Sequence, residues 1–143
     1  MAIGPNTDWS SVKHFKPEEW VLKPALVSTE LVLLVDDFRD WVGKPFHIHV
    51  AWDANGHEVN SEHYLGLAVD LHVEGLTLLD QWLAAERFPF RGIGVYPYWN
   101  SPGLHLDIRR SPRVNLGYRW WKDKDGAYKP LDRACLQVLM ETS

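Results

Sequence analysis

The chain has 143 residues, 45% of them hydrophobic and 24% charged, which suits one soluble domain with a real core and is too short for two. A net charge of −4 excludes the basic footprint of a nucleic-acid binder and offers nothing to an anionic membrane surface. The lone Cys135 excludes an intrachain disulfide and a cysteine-held metal, points to a reducing compartment, and leaves any metal to His and carboxylates.

Residues 1–12, polar and carrying Gly4 and Pro5, read as an extended arm; with neither a basic nor an apolar leader region, no secretory signal is expected. No apolar run approaches the ~20 residues of a membrane span. His14 to Trp20 reads as a short helical turn opened by Pro17, with Phe15 and Trp20 anchoring it on the core. From Ser28, a suitable N-cap, Leu31, Leu34, Val35, Phe38, Trp41 and Val42 keep helical spacing until Gly43 and Pro45. Phe46 to Trp52 alternates as a strand, and 53–56 form a turn.

The next stretch, Ser61-Glu62-His63-Tyr64-Leu65-Gly66-Leu67-Ala68-Val69-Asp70, carries the chemistry. Gly66 lets the backbone turn, and alternation then places Leu67, Val69 and Leu71 on one strand face and Ala68 and Asp70 on the other, so Asp70 can point back to His63. A second helix follows Gly75, with Leu79, Trp82, Leu83 and Glu86 repeating at three and four and Phe88-Pro89-Phe90 stopping it. Residues 91–96 make a short strand, 97–103 a loop, and Leu104 to Ile108 a strand that places His105 and Asp107 on one face. Pro112 and Gly117 bracket a turn, Arg119-Trp120-Trp121 pairs with Tyr128-Lys129 as a hairpin, and a last helix runs from Leu131 to Met140. Helices and strands do not alternate regularly, so the expected class is α+β, a small antiparallel sheet with helices on one face.

Two imidazoles and a carboxylate are the count that leaves zinc one open position. On spacing alone, His63, Asp70 and His105 compete with a bland reading in which Asp70 caps a turn and His105 sits on a sheet face. His47 and His49 share a strand face as a rival metal pair or a substrate- or core-facing pattern. His14, His57 and His72 have no partner evident in the sequence.

Ser61-x-His63-x-x-Gly66-x-Ala68-x-Asp70 resembles, at every fixed position, the signature of the zinc D-Ala-D-Ala carboxypeptidases and phage endolysins that cut peptidoglycan stem peptides. His105-Leu106-Asp107 is similar to that family's second signature. Gly92-Ile93-Gly94-Val95-Tyr96-Pro97, and His14-Phe15 with Glu18-Glu19-Trp20, resemble its phage and cell-wall branch. The likeness spans roughly residues 13 to 110. It implies zinc on His63, Asp70 and His105, a small antiparallel sheet with flanking helices, and a peptidoglycan peptide as partner. It also implies action in the periplasm or wall after synthesis in a host cytoplasm. The same segment is similar to the amino-terminal domain of hedgehog proteins, which shares the fold and the zinc triad; on that likeness the chain is a catalytically silent recognition module or a structural phage protein. Trp52 to His57 resembles the calcium-binding turn there, but Asp53 and Asn55 supply too few oxygens for calcium.

Two departures bear on catalysis. The family's acidic residue three before the last ligand is Pro102 here, and its Arg before the first motif is replaced by Ala51-Trp52-Asp53. Asp107, first, then Tyr96 and His49 are the candidate catalytic groups; Asp107 suits either a base or a support that holds the His105 ring. Tyr98, Trp99 and His47, with Trp120 and Trp121, are the candidate substrate-binding residues.

Overall fold

The computed structural model describes residues 7–57, 61–109 and 118–142. In chain order come 3-10 turns at Pro17–Trp20 and Pro24–Leu26, α1 (Thr29–Val42), β1 (Phe46–Val50), a 3-10 turn at Glu62–Leu65 and β2 (Ala68–Val73). These are followed by α2 (Leu78–Ala85), β3 (Gly92–Tyr96), β4 (Gly103–Asp107), β5 (Tyr118–Lys122), β6 (Tyr128–Pro130) and α3 (Arg133–Glu141). The class is α+β, as expected, with one six-stranded sheet ordered β1-β2-β4-β3-β5-β6.

The sheet is mixed rather than antiparallel, because β3 and β5 run parallel. The reason is edge occupancy. β4 is already paired with β2 on one side and β3 on the other, so the returning chain takes the free edge of β3. A strand that reverses direction after β4 and lands beyond β3 must run parallel to it. The turn expected between Pro112 and Gly117 lies outside the described residues.

Strand pleating sorts the side chains to two faces. Cross-strand pairs Val69↔Leu106, Leu71↔Leu104, Ile93↔Leu106 and Val95↔Leu104 build an apolar face. Leu31, Val35 and Phe38 of α1, Leu78 of α2 and Leu139 of α3 join it in one buried cluster. Each such side chain contributes about 1.5–3 kcal/mol when fully buried. The opposite face carries His47, Asp70, His72, His105, Asp107 and Trp120 in register.

α1 forms where its spacing placed it. Ser28 Oγ accepts from Leu31 N, and Gly43 closes the helix in the left-handed conformation. The Pro17 turn also stands, with Phe15 and Trp20 buried and their rings edge-on. Residues 7–12 of the expected arm do not project: Trp9 packs edge-on to Trp20, and Thr7 Oγ1 donates to Pro24 O at 2.9 Å.

α2 turns a different face inward than its leucine spacing suggests. Leu78, Gln81 and Ala85 are buried while Leu83 is exposed. Gln81 wins because it is fully used: Oε1 accepts from Val73 N, and Nε2 donates to Leu76 O and Pro102 O. A polar side chain with all its partners can replace a leucine inside.

Cys135 lies in the core on α3 with no exposed surface. Burial, then the charge of Asp132, pushes its thiol from an ordinary 9.0 up to about 11. At pH 8 its thiolate is therefore about a hundredfold scarcer than that of a free cysteine. Native protein at pH 8 is expected to resist iodoacetamide for hours and to label at once in denaturant, as read by mass spectrometry.

Candidate metal centre

His63 is delivered by the Glu62–Leu65 turn, whose N-cap Ser61 accepts from His63 N through Oγ at 3.2 Å. Gly66 ends the turn at φ 69°, and its carbonyl accepts from Ser28 N, the cap of α1, at 2.8 Å. A Cβ at Gly66 would stand 2.1 Å from Leu26 O. The residue is thus required both for its left-handed backbone and for the closeness of the neighbouring chain. Asp70 on β2 lies directly opposite His105 on β4.

The hydrogen bonds assign the ligand nitrogens. His63 Nδ1 donates to Ala51 O at 2.8 Å, which leaves Nε2, 3.2 Å from Asp70 Oδ1, as the nitrogen that a proton or a metal ion can take. His105 Nε2 donates to Asp107 Oδ2 at 2.8 Å, leaving Nδ1 at 3.0 Å from the same Asp70 oxygen. A metal-binding histidine characteristically gives its other N–H to a carbonyl or carboxylate, fixing tautomer and ring angle. Both do so here. The three donor atoms lie within 4.8 Å of one another, so His63, Asp70 and His105 form a triad that can hold a metal ion.

Protons compete with a metal ion for these same two nitrogens. Burial pushes the Asp70 carboxyl up, but hydrogen bonds from His105 and His63 outweigh it and hold the group well below the usual carboxylate range. Burial likewise lowers His105, and Asp107 and Asp70 more than reverse this, bringing it to about 9. Asp107 is buried, and its charge is kept by Arg109: Nε donates to Oδ1 at 2.9 Å and a terminal nitrogen to Oδ2 at 2.6 Å. Both Asp107 oxygens are engaged, which matches the supporting role and leaves no oxygen turned to a substrate.

Asp107→Asn is expected to weaken metal binding about 10–100-fold in a chelator competition. An amide can turn an N–H toward His105 Nε2 and move the imidazole proton to Nδ1, the ligand nitrogen. Unchanged affinity would show that Asp107 does not set the His105 tautomer.

A cleft of about 920 Å³ opens over the triad, lined among others by Glu62, Tyr96, Trp99, Arg109, Trp120 and Lys122. Tyr96 stacks on Trp99 with centroids 4.1 Å apart, and Trp120 Nε1 donates to Tyr96 Oη at 3.1 Å. The floor exists because two residues lack side chains. Gly92 pairs with Asp107 and Gly94 with His105; a Cβ would come within 2.3 Å of Asp107 Oδ2 at Gly92 and 2.6 Å of the Trp120 ring at Gly94.

Of the sequence candidates, Tyr96 and Trp99 line this cleft with the triad. His49 lines an adjoining cavity of about 330 Å³ that shares Asp70 and Trp99. Tyr98 is half exposed and lines neither cavity; His47 also lies off both and pairs with Glu74 instead. Trp121 is buried on the apolar face, whereas Trp120 faces the cleft. Asp53 spends its oxygens locally, on Ala54 N and His57 Nε2. Sequence reading missed Arg109, Glu62 and Lys122. The alternation His105-x-Asp107-x-Arg109 along one strand face was the available signal for Arg109. His57, a further sequence candidate for proton transfer, stacks on His63 at 4.3 Å.

No family model matches the chain, and no curated protein matches it. No helix among the described residues is long and apolar enough to cross a membrane.

Proposed function

We propose that the chain is a zinc-dependent peptidase acting on peptidoglycan stem peptides. The observation that carries this reading is the pair of histidines whose second nitrogens are already satisfied, converging with Asp70 at the base of an open cleft. The ordered motif from Ser61 to Asp70, joined to His105, supplies the substrate class by resemblance. Two imidazoles and one carboxylate suit zinc and leave a position for water and substrate. Such an ion supplies Lewis acidity, polarising a scissile carbonyl and acidifying water from about 15.7 to about 7.

The remaining work falls to the chain. Among the described residues lining the cleft, only Glu62 and Asp70 are carboxylates, and Asp70 is assigned as a ligand. Glu62 therefore takes the proton from the attacking water and returns it to the leaving amine as the C–N bond breaks and the C–O bond forms. Tyr96 stays protonated because burial, chiefly, raises its hydroxyl. Since an indole N–H only donates, the bond from Trp120 uses the Tyr96 oxygen and not its proton, which turns from Tyr128 to the developing oxyanion. The Tyr96–Trp99 stack forms an apolar wall for the peptide.

The test is release of peptide from purified peptidoglycan, followed by mass spectrometry. Wild type releases product. Glu62→Gln lowers kcat by about 10²–10⁴ while keeping its metal. Pro102 at the family's acidic position favours a second reading, a metal-bearing recognition module without catalysis. A metal-loaded wild type that binds peptidoglycan and releases nothing would establish that reading and sink the peptidase.

A further inference from the structure

Three histidines outside the triad meet on the open face of the sheet. His47 and His49 stand two apart on β1, and His72 on β2 is the register partner of His47. The register shifts between Ile48 and Val50, so His49 sits at an irregularity that brings it back over β2. The three rings lie in a stack, His72 between the others, each neighbouring pair 4.8 Å apart and within 21° of parallel. His49 Nε2 and His72 Nδ1 are 2.6 Å apart. One of those nitrogens donates and the other accepts, so one ring lone pair is already aimed into this contact and the second is freed when the donor's proton leaves. His47 Nε2 donates to Glu74 Oε1 at 3.1 Å, an arrangement that leaves Nδ1 as its unprotonated nitrogen.

We propose that His47, His49 and His72 constitute a second metal site, on the edge strand, for a borderline divalent cation such as Zn2+, Ni2+ or Cu2+. Imidazole is the ligand these ions share, and no thiol or calcium-type oxygen cage is present in the cluster. Two residues on alternate positions of one strand and a third across the ladder present their side chains on the same face, which is the placement three convergent ligands need. The adjustment falls mainly on His47, since among the described residues only the triad already has three donor atoms within 4.8 Å of one another. Two nitrogens bound at 2.0–2.1 Å in tetrahedral geometry are about 3.3 Å apart, so the His49–His72 contact opens by about 0.7 Å and the His47 ring turns out of the stack. Glu74 plays for His47 the part that Asp107 plays for His105, holding the distal N–H. The site is independent of the peptidase reading and draws no ligand from the triad.

The experiment counts ions on the full chain. Zinc equilibrium dialysis with emission spectroscopy compares wild type, His49→Ala/His72→Ala and His63→Ala/His105→Ala. The stack variant is expected to hold one ion fewer than wild type, and the triad variant to keep the ion that the stack variant loses. His47→Gln is expected to weaken that ion by about tenfold or more. In wild type, imidazole nitrogen resonances of His49 and His72 should shift on zinc addition, a readout that needs no variant. Equal ion counts in wild type and the stack variant, or unshifted His49 and His72 resonances at saturating zinc, would overturn the site and show a stack of rings only.

Discussion

His63→Ala and His105→Ala are each expected to hold one metal ion fewer per chain than wild type and to reduce peptide release to background. Both histidines of the triad are prearranged by a bond on the far side of the ring, so alanine removes a ligand and frees the group that aimed it. In His63→Ala the carbonyl of the buried Ala51 loses its donor, which costs about 1–3 kcal/mol unless water enters. In His105→Ala the buried Asp107 keeps its bonds from Arg109, so its charge stays compensated. The two variants therefore lose metal alike but leave different groups short of a partner, Ala51 O in the one and Asp70 in the other. Thermal unfolding with and without zinc separates these terms. A ligand at a hundred times its Kd stabilises wild type by about 2.7 kcal/mol, and the part due to the triad vanishes in both variants. An undiminished ion count in His105→Ala would show the ligand assignment to be wrong.

Gly66→Ala is expected to destabilise the protein by about 2–5 kcal/mol in denaturant unfolding. Forcing a Cβ into the left-handed region costs about 1–2 kcal/mol. The added atom would also meet Leu26 O at 2.1 Å, Leu26 C at 3.1 Å and Val27 Cα at 3.2 Å, all backbone, and overpacking costs typically 1–3 kcal/mol. Retreat is blocked, because Gly66 O is bonded to Ser28 N and Val27 is buried. Gly43 is the control. Its φ is 73°, and nothing lies within 4 Å of its would-be Cβ, so Gly43→Ala pays the conformational cost alone. If the two substitutions cost the same, the close approach to Leu26 contributes nothing.

The parts of the molecule legible in its sequence are those governed by local rules. Ser28 and Gly43 mark the ends of α1, and Asp123 to Gly126 marks the β5–β6 hairpin, because capping and tight turns depend on neighbouring residues. His63, Asp70 and His105 could be grouped because two short motifs carry strand alternation that fixes which side chains share a face. What stayed hidden depended on register between distant segments. The parallel pairing of β3 and β5 follows from occupied edges and not from any residue in either strand. His72 joins His47 and His49 only through the β1–β2 ladder. Gln81 defeats the leucine pattern of α2 because its three bonds reach Val73, Leu76 and Pro102. Arg109 gains its role from the burial of Asp107 beside it, which only the folded sheet produces.

Gly92 and Gly94 give the centre a portability limit. Each is the register partner of a residue that the site needs, Asp107 and His105, and the strand beyond supplies the Trp120 ring that fills the space above Gly94. Transplanting His63, Asp70 and His105 onto another sheet would reproduce the donors inside a space already filled by methyl groups. The smallest transferable unit is four neighbouring strands, β2, β4, β3 and β5, with the His63 turn. In a distant relative, the mirrored pair Gly-x-Gly and His-x-Asp on adjacent antiparallel strands would identify this centre more securely than its ligands alone.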